Sequence, residues 1–198
     1  MQYLPTSDKS KKAYLNISKS VHACQHVEPC VVIDTQTYPQ MEEVRVDMAE
    51  MKVESKPVEL LTSVGSCVAI CLYDSIHRCG GLAHIMLPHS SLGPQEPLPS
   101  KFADTSVPAM IKGIREITGT ETRLSAKIAG GANLFPNTGA NALDIGAKNV
   151  RAVKATLTHH EIRLIGEDVG GSHGRKVTFN ITTGTTVVRL HNGEIRKL

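Results

Sequence analysis

The sequence lacks any hydrophobic run long enough to cross a membrane. No window approaches the roughly 18 continuous apolar residues that a spanning helix needs. The basic residues Lys9, Lys11 and Lys12 near the start are followed by no apolar segment, so a secretory signal is not indicated either. We therefore expect a cytoplasmic protein with no membrane insertion.

A strong excess of one charge is also lacking. The chain has 22 Lys and Arg against 19 Asp and Glu, which gives a formal net charge of +3. These residues are spread along the chain and form no concentrated basic stripe in the sequence. Binding to nucleic acid requires such a stripe, so nucleic acid is excluded as the expected partner.

Cysteine is scarce, and its five occurrences are an odd number. In a chain without a secretory signal this count favours reduced thiols over a disulfide framework. Two cysteines lie in a cluster, His22, Cys24, His26 and Cys30, whose residue types are those of zinc ligands. Their spacing matches no common structural zinc pattern, so we predict no metal and no cofactor.

What the sequence does contain is enough chain, 198 residues with 40% hydrophobic residues, for one domain with a sizeable core. Residues 1–44 differ from the rest because they are polar and interrupted by Pro5, Pro29 and Pro39. We predict that residues 1–44 are an N-terminal extension, either poorly ordered or an added strand. Residues 45–198 are predicted to be the domain.

The domain has mixed helical and strand patterns. Residues 102–117 and 147–159 have helical spacing, and Pro108 fits a helix only near its first turn. A Pro- and Ser-rich loop is predicted over 90–100, and Gly130-Gly131 is predicted to be a turn with positive φ. Extended segments are predicted at 44–53, 58–64, 68–73, 81–87, 123–128, 163–166, 176–181 and 185–190. The predicted fold is a single-domain α/β sandwich of mixed sheets flanked by two helices.

Two of these strands carry a possible nucleophile and a possible base. Cys67 follows Gly65-Ser66 at the start of one apolar run, and His84 lies within the next run along the chain. Pairing of the two runs would bring Cys67 and His84 to the same end of a sheet. A buried cysteine or a histidine near an apolar strand is more often only part of a packed core. Gly65 favours the catalytic interpretation, because a residue without Cβ permits a tight turn that aims backbone N–H groups at a reacting carbonyl oxygen.

The sequence around this pair belongs to a longer set of blocks. In chain order the blocks are Val64–Asp74, Gly80–Pro88, Lys101–Thr105, Lys127–Ala132, Ile145–Val150 and Glu167–Gly171. Together they resemble the chemoreceptor glutamine deamidase family called CheD, over about residues 45–190. Several blocks in one order are far more specific than any single one.

The resemblance implies an enzyme that hydrolyses glutamine side chains of methyl-accepting chemotaxis receptors to glutamate. It implies Cys67 as the nucleophile, His84 as the general base and a threonine that completes the site. An ungapped match would put this threonine at position 61, which is Leu61, whereas Thr62 is the nearest threonine. We assign Thr62, and a main-chain carbonyl near Leu61 is the alternative that would orient His84.

The resemblance also implies a possible CheC-type chemotaxis phosphatase as a binding partner. Two rival interpretations stay open: a thiol amidohydrolase or peptidase acting on other amides, and a non-catalytic or dual-role module that binds the phosphatase. For an active enzyme we expect His84 to lower the pKa of the Cys67 thiol below its usual value of about 8.5.

Overall fold

The computed structural model describes residues 41–92, 98–121, 123–134 and 144–198. This part of the chain contains two α-helices and ten strands. The helices are α1 (Ala103–Thr118) and α2 (Ile145–His159). The strands are β1 (Glu42–Arg45), β2 (Met51–Glu54), β3 (Val58–Val64), β4 (Val68–Asp74), β5 (Cys79–Ile85), β6 (Leu124–Gly130), β7 (Arg163–Val169), β8 (Arg175–Asn180), β9 (Thr186–Leu190) and β10 (Ile195–Lys197).

The strands form two mixed sheets of five strands each. The first sheet has the order β1-β3-β8-β9-β10, in which only the β1–β3 pair is parallel. The second sheet has the order β2-β5-β4-β6-β7, in which only β6–β7 is parallel. The prediction of an α/β sandwich with mixed sheets is confirmed.

Two hydrophobic cores hold the layers together. One lies between the sheets and includes Leu60 and Phe179 of the first sheet and Leu82 of the second. The other lies between the second sheet and the two helices, and includes Met110 of α1 and Leu157 of α2. Both helices therefore cover one face of the second sheet, whose central strands are buried on both sides. This double burial explains why β4 and β5 have nearly continuous apolar sequences rather than alternating ones.

The long extended segment predicted at 44–53 is in fact two strands in different sheets. The chain turns between β1 and β2, where the Glu50 N–H donates to the Asp47 carbonyl over 3.0 Å and Ala49 has a φ of 61°. No glycine or proline marks this turn, so its sequence gave no sign of a break. The strand β10 was also not predicted.

Helix α1 accommodates a proline beyond its first turn, contrary to the sequence-based expectation. Pro108 lies five residues after Ala103, where it removes one N–H donor of the helical ladder. The helix tolerates this loss because Val107, Met110 and Ile114 on its buried face are completely covered. Packing, rather than the helix's own hydrogen bonds, stabilises this element.

The proposed boundary between extension and domain at residues 44 and 45 stays a prediction, although β1 begins at Glu42. The cluster His22, Cys24, His26 and Cys30 lies outside the described residues. Within the described part of the chain, no helix combines the length and the apolar character needed to span a membrane.

Candidate active site

Cys67 ends the turn that connects the first sheet to the second. Gly65-Ser66-Cys67 follows β3 and precedes β4, and the Cys67 side chain is half-buried against the core between the sheets. The Gly65 carbonyl accepts a hydrogen bond from the Ala132 N–H, and the Cys67 carbonyl accepts one from the Gly131 N–H, both over 2.8 Å. The turn that carries the thiol is therefore fixed by the segment that follows β6.

Glycines make this approach of the two segments possible. Gly130 and Gly131 have φ values of 116° and 64°, which confirms the predicted turn with positive φ. A Cβ on Gly130 would lie 2.3 Å from the Cys67 carbonyl oxygen. Gly65 has no positive φ, and a Cβ there would lie 2.8 Å from a methyl carbon of Leu134, an exposed side chain that would have to move aside.

His84 lies on β5, directly beside β4, the strand that follows Cys67. The register pairs Ala69 with His84 and Val68 with Ile85 in an antiparallel ladder. Continued by one residue to Cys67, this register makes Cys67 and His84 diagonal neighbours on the same face. The prediction that the two runs pair is confirmed, and the register places Cys67 and His84 at the same end of the second sheet.

Thr62 reaches His84 from the first sheet. Its hydroxyl Oγ1 lies 2.8 Å from His84 Nδ1, and both side chains are buried. Thr62 points inward because it alternates along β3 in phase with Leu60 and Val64, which belong to the core between the sheets. The alternative partner, the Leu61 carbonyl, already accepts a hydrogen bond from the Val46 N–H over 2.8 Å.

The second ring nitrogen of His84 is available for a proton. Nε2 is buried and has no hydrogen-bond partner among the described residues. When Nδ1–H donates to the Thr62 hydroxyl, Nε2 carries the lone pair that a general base requires. In the opposite tautomer the hydroxyl donates to Nδ1, and Nε2 carries the proton.

The electrostatics of the site hold both groups neutral. Burial raises the pKa of the Cys67 thiol above its usual value, and the backbone N–H of Cys67 offsets this only in part. Burial also lowers the pKa of His84, which the nearby Asp47 carboxylate partly counteracts. The expectation that His84 lowers the pKa of the thiol is therefore wrong for the free protein, because an uncharged imidazole offers no positive charge to stabilise a thiolate.

The other described cysteines have different surroundings. Cys71 is buried in the core between the sheets, where burial raises its pKa to about 12. Cys79 is also buried, and burial raises its pKa. Cys67 is the most exposed thiol in the described part of the chain.

Sequence reasoning missed one residue that links the two halves of the site. The Asn149 side-chain amide on α2 donates to the Ser66 carbonyl over 3.0 Å and to the Met86 carbonyl over 2.9 Å. Asn149 is completely buried, so it ties the turn before Cys67 to the end of the strand that carries His84. The block Ile145–Val150 was visible in the sequence, but nothing in it indicated these contacts.

Metal ligands are not gathered in this region. Across the described ranges, no three side chains of His, Cys, Asp or Glu form a group that could hold a metal ion.

Comparison with known proteins places these features in a family. The family model CheD, described as chemotactic sensory transduction, matches residues 86–190. A Desulforamulus reducens protein named probable chemoreceptor glutamine deamidase CheD is 42% identical over 149 residues, which cover 74% of this chain and 90% of that protein. The chain belongs to the CheD family. This membership confirms the resemblance that the sequence blocks indicated.

Other CheD relatives are similar to the same extent. The Thermotoga maritima protein named chemoreceptor glutamine deamidase CheD is 41% identical over 149 residues, covering 75% of this chain and 92% of its own length. A Symbiobacterium thermophilum protein, named probable chemoreceptor glutamine deamidase CheD, is 43% identical over 147 residues, covering 72% and 89%. The part matched by the CheD family model begins just after His84, so it does not include Cys67, His84 or Thr62.

Proposed function

We propose that this CheD-family chain is a chemoreceptor glutamine deamidase that hydrolyses glutamine side chains to glutamate in chemotaxis. Cys67 is the nucleophile, His84 the general acid and base, and Thr62 the residue that positions His84. The names of the relatives support the reaction and the receptor substrate. The observation that carries the residue roles is the bond between Thr62 and His84 Nδ1, which leaves Nε2 for the chemistry beside Cys67.

The first half of the reaction transfers the acyl group to sulfur. As the Cys67 sulfur forms a bond to the amide carbon of glutamine, its proton passes to His84 Nε2, and the carbonyl electron pair moves to oxygen. Backbone N–H groups of the turn at Ser66-Cys67 stabilise the oxyanion. The oxyanion then collapses and the carbon–nitrogen bond breaks. His84 returns the proton to the nitrogen, which leaves as ammonia.

The second half releases the product. His84 removes a proton from water as the water oxygen attacks the thioester carbon. The carbon–sulfur bond breaks, the thiolate recovers the proton from His84, and glutamate remains on the receptor. Since the free enzyme holds thiol and imidazole neutral, the ion pair forms only during attack, when the Asp47 carboxylate stabilises the charged imidazole.

The test is mass spectrometry of a purified receptor cytoplasmic domain after incubation with the full chain. Each converted glutamine gains about 1 Da when NH2 is replaced by OH, and one ammonia is released. Cys67→Ala should abolish both signals. Cys71→Ala is the matched control and should keep turnover. It removes a buried thiol four residues further along the chain, within β4. Undiminished ammonia release by folded Cys67→Ala would contradict the proposal.

The same experiment separates the rival functions. A thiol amidohydrolase with other substrates would release ammonia from free amides and leave receptor glutamines unchanged. The CheC-type phosphatase partner and the cytoplasmic location stay predictions from the resemblance and the sequence.

A further inference from the structure

A row of exposed side chains crosses the outer face of the first sheet beside the active-site turn. The register pairs Ser63 of β3 with Lys176 of β8, and Lys176 with Arg189 of β9. All three side chains are exposed. They border a cleft of about 490 Å³ whose lining includes Ser63, Gly65, Gly174, Lys176, Arg189 and His191. We call this depression the cationic cleft.

The two positive charges of the cleft are adjacent, and neither forms an ion pair among the described residues. Lys176 and Arg189 are direct cross-strand partners, an arrangement that destabilises a sheet when the charges are alike. Among the described residues, no carboxylate forms an ion pair with either of them. A sheet that keeps two adjacent unpaired cations has a surface suited to an anionic partner.

Three carboxylates lie near the cleft. Two of them are neutralised, whereas Glu43 lines an adjoining pocket with Ser63 and Lys176 and forms no ion pair among the described residues. Asp168 is buried and bonds Arg175 over 2.7 Å and Arg196 over 2.9 Å. Glu194 pairs with Arg196 over 2.8 Å. Lys176 and Arg189 are therefore the exposed charges that line the cleft itself, and Glu43 lies beyond its Lys176 edge.

The cleft adjoins the nucleophile. Gly65, one of its lining residues, begins the turn that ends at Cys67. The cleft is built from the end of β3, the start of β8 and the end of β9, all at the end of the sandwich where Cys67 lies. A polypeptide that presents a side chain to Cys67 can thus place neighbouring residues against Lys176 and Arg189.

We propose that the cationic cleft binds carboxylate side chains that flank the target glutamine in the substrate protein. This inference rests on the proposed deamidase function and specifies its substrate as a glutamine in an acidic segment. The occupant is a protein segment rather than another polyanion, because Gly65 at the border of the cleft begins the turn that ends at Cys67, the residue that the substrate polypeptide must reach. Every conversion of a glutamine in such a segment also adds a carboxylate that the cleft attracts.

The test compares two glutamine peptides of equal length, one with Asp and Glu beside the glutamine and one with Ser and Ala there. In Lys176→Glu/Arg189→Glu, kcat/KM for the acidic peptide should fall by about tenfold or more, mainly through KM. Its kcat/KM for the neutral peptide should change less than about twofold. A peptide with Lys and Arg beside the glutamine should be used better by this variant than by the wild type. Added salt should raise the wild-type KM for the acidic peptide only.

The matched control is Lys112→Glu/Lys154→Glu, which changes the net charge equally on the helices, on the far side of the second sheet. It should leave the acidic peptide's kcat/KM unchanged. If the Glu variant fails to fold, Lys176→Gln/Arg189→Gln takes its place, with a smaller loss of the same kind. Equal losses on both peptides, or equal losses in the control, would overturn the inference. A wild type that deamidates neither peptide nor receptor would instead refute the proposed function.

Discussion

At the scale of single residues, the decisive contact is the hydrogen bond between the Thr62 hydroxyl and His84 Nδ1. A buried imidazole whose two nitrogens both lack partners would be free to change tautomer and to rotate. The hydroxyl fixes one nitrogen at 2.8 Å and leaves Nε2 unpartnered among the described residues. This division between the two nitrogens is what a base needs in order to act repeatedly in one orientation.

We predict that Thr62→Val lowers kcat by about tenfold or more while KM changes little. Valine has nearly the volume of threonine but no hydroxyl, so the ring loses its orienting partner without a large cavity. The measurement is steady-state ammonia release from a receptor fragment.

Thr62→Ser is the control, because it restores the hydroxyl and should recover most of the lost turnover. A purely structural role for Thr62 would give another pattern: unfolding in urea would change, and the kcat of the folded protein would not.

At the scale of elements, helix α2 connects the two segments that carry the nucleophile and the base. Asn149 uses both N–H bonds of its amide, one on the turn before Cys67 and one on the residue after β5. The nucleophile and the base come from different parts of the chain, and this amide holds those parts together. Asn149 contacts no reacting atom, so it is a positioning residue.

We predict that Asn149→Asp lowers the free energy of unfolding by about 1–3 kcal/mol and reduces kcat as well. A carboxylate cannot donate to the Ser66 and Met86 carbonyls, and it would repel both oxygens. Urea unfolding and ammonia release measure the two effects. Asn192→Asp, in the exposed turn before β10, is the matched control and should change neither. Wild-type turnover in folded Asn149→Asp would show that the two hydrogen bonds of Asn149 have no part in catalysis.

Most helices and strands could be predicted from the sequence, because their hydrophobic residues recur with a clear period over the whole element. The pairing of β4 with β5 and the extent of both helices could be predicted, and the pairing puts Cys67 and His84 at one end of the second sheet. The break between β1 and β2 could not be predicted, because Ala49 takes a positive φ that only glycine usually signals. The role of Asn149 was also out of reach, because its partners lie 83 and 63 residues away.

The position of Thr62 is an intermediate case. An ungapped match with the family favours position 61, whereas the alternation of Leu60, Thr62 and Val64 along β3 favours an inward Thr62. At the sequence level a shift of one position counts against Thr62, because it reverses the face of a strand. Only the structure shows that Thr62 shares the inward face with Leu60 and Val64.

At the scale of the whole molecule, a buried ion pair joins the two sheets at the end where the site lies. Asp168 of β7, in the second sheet, bonds Arg175 of β8, in the first. Arg175 also donates to the carbonyls of Gly130 and Gly170 over 3.2 and 2.7 Å. Through Gly130 this network reaches the segment that fixes the Cys67 turn.

We predict that Asp168→Asn lowers the free energy of unfolding by about 3–5 kcal/mol, since it leaves the Arg175 guanidinium buried without its counter-charge. The neighbouring Glu167 pairs with Lys154 on the surface over 2.7 Å. Glu167→Gln is therefore the matched control, with an expected loss of about 1 kcal/mol or less. Urea unfolding of both variants measures the difference, and similar values for the two would mean that burial adds nothing to the Asp168 pair.

The bond between Thr62 and His84 also determines how the protein should fail on heating. Enzymes with catalytic groups on loops often inactivate several degrees before they melt, because the loops loosen first. Here the threonine is on an inner strand of one sheet and the histidine on an inner strand of the other. Their contact persists as long as the sheets stay packed, and the turn that carries Cys67 is held to the end of β6 by the Gly131 and Ala132 N–H groups. The inactivation temperature of the protein should therefore coincide with its melting temperature. Residual activity would then report whether the two sheets are still packed against each other.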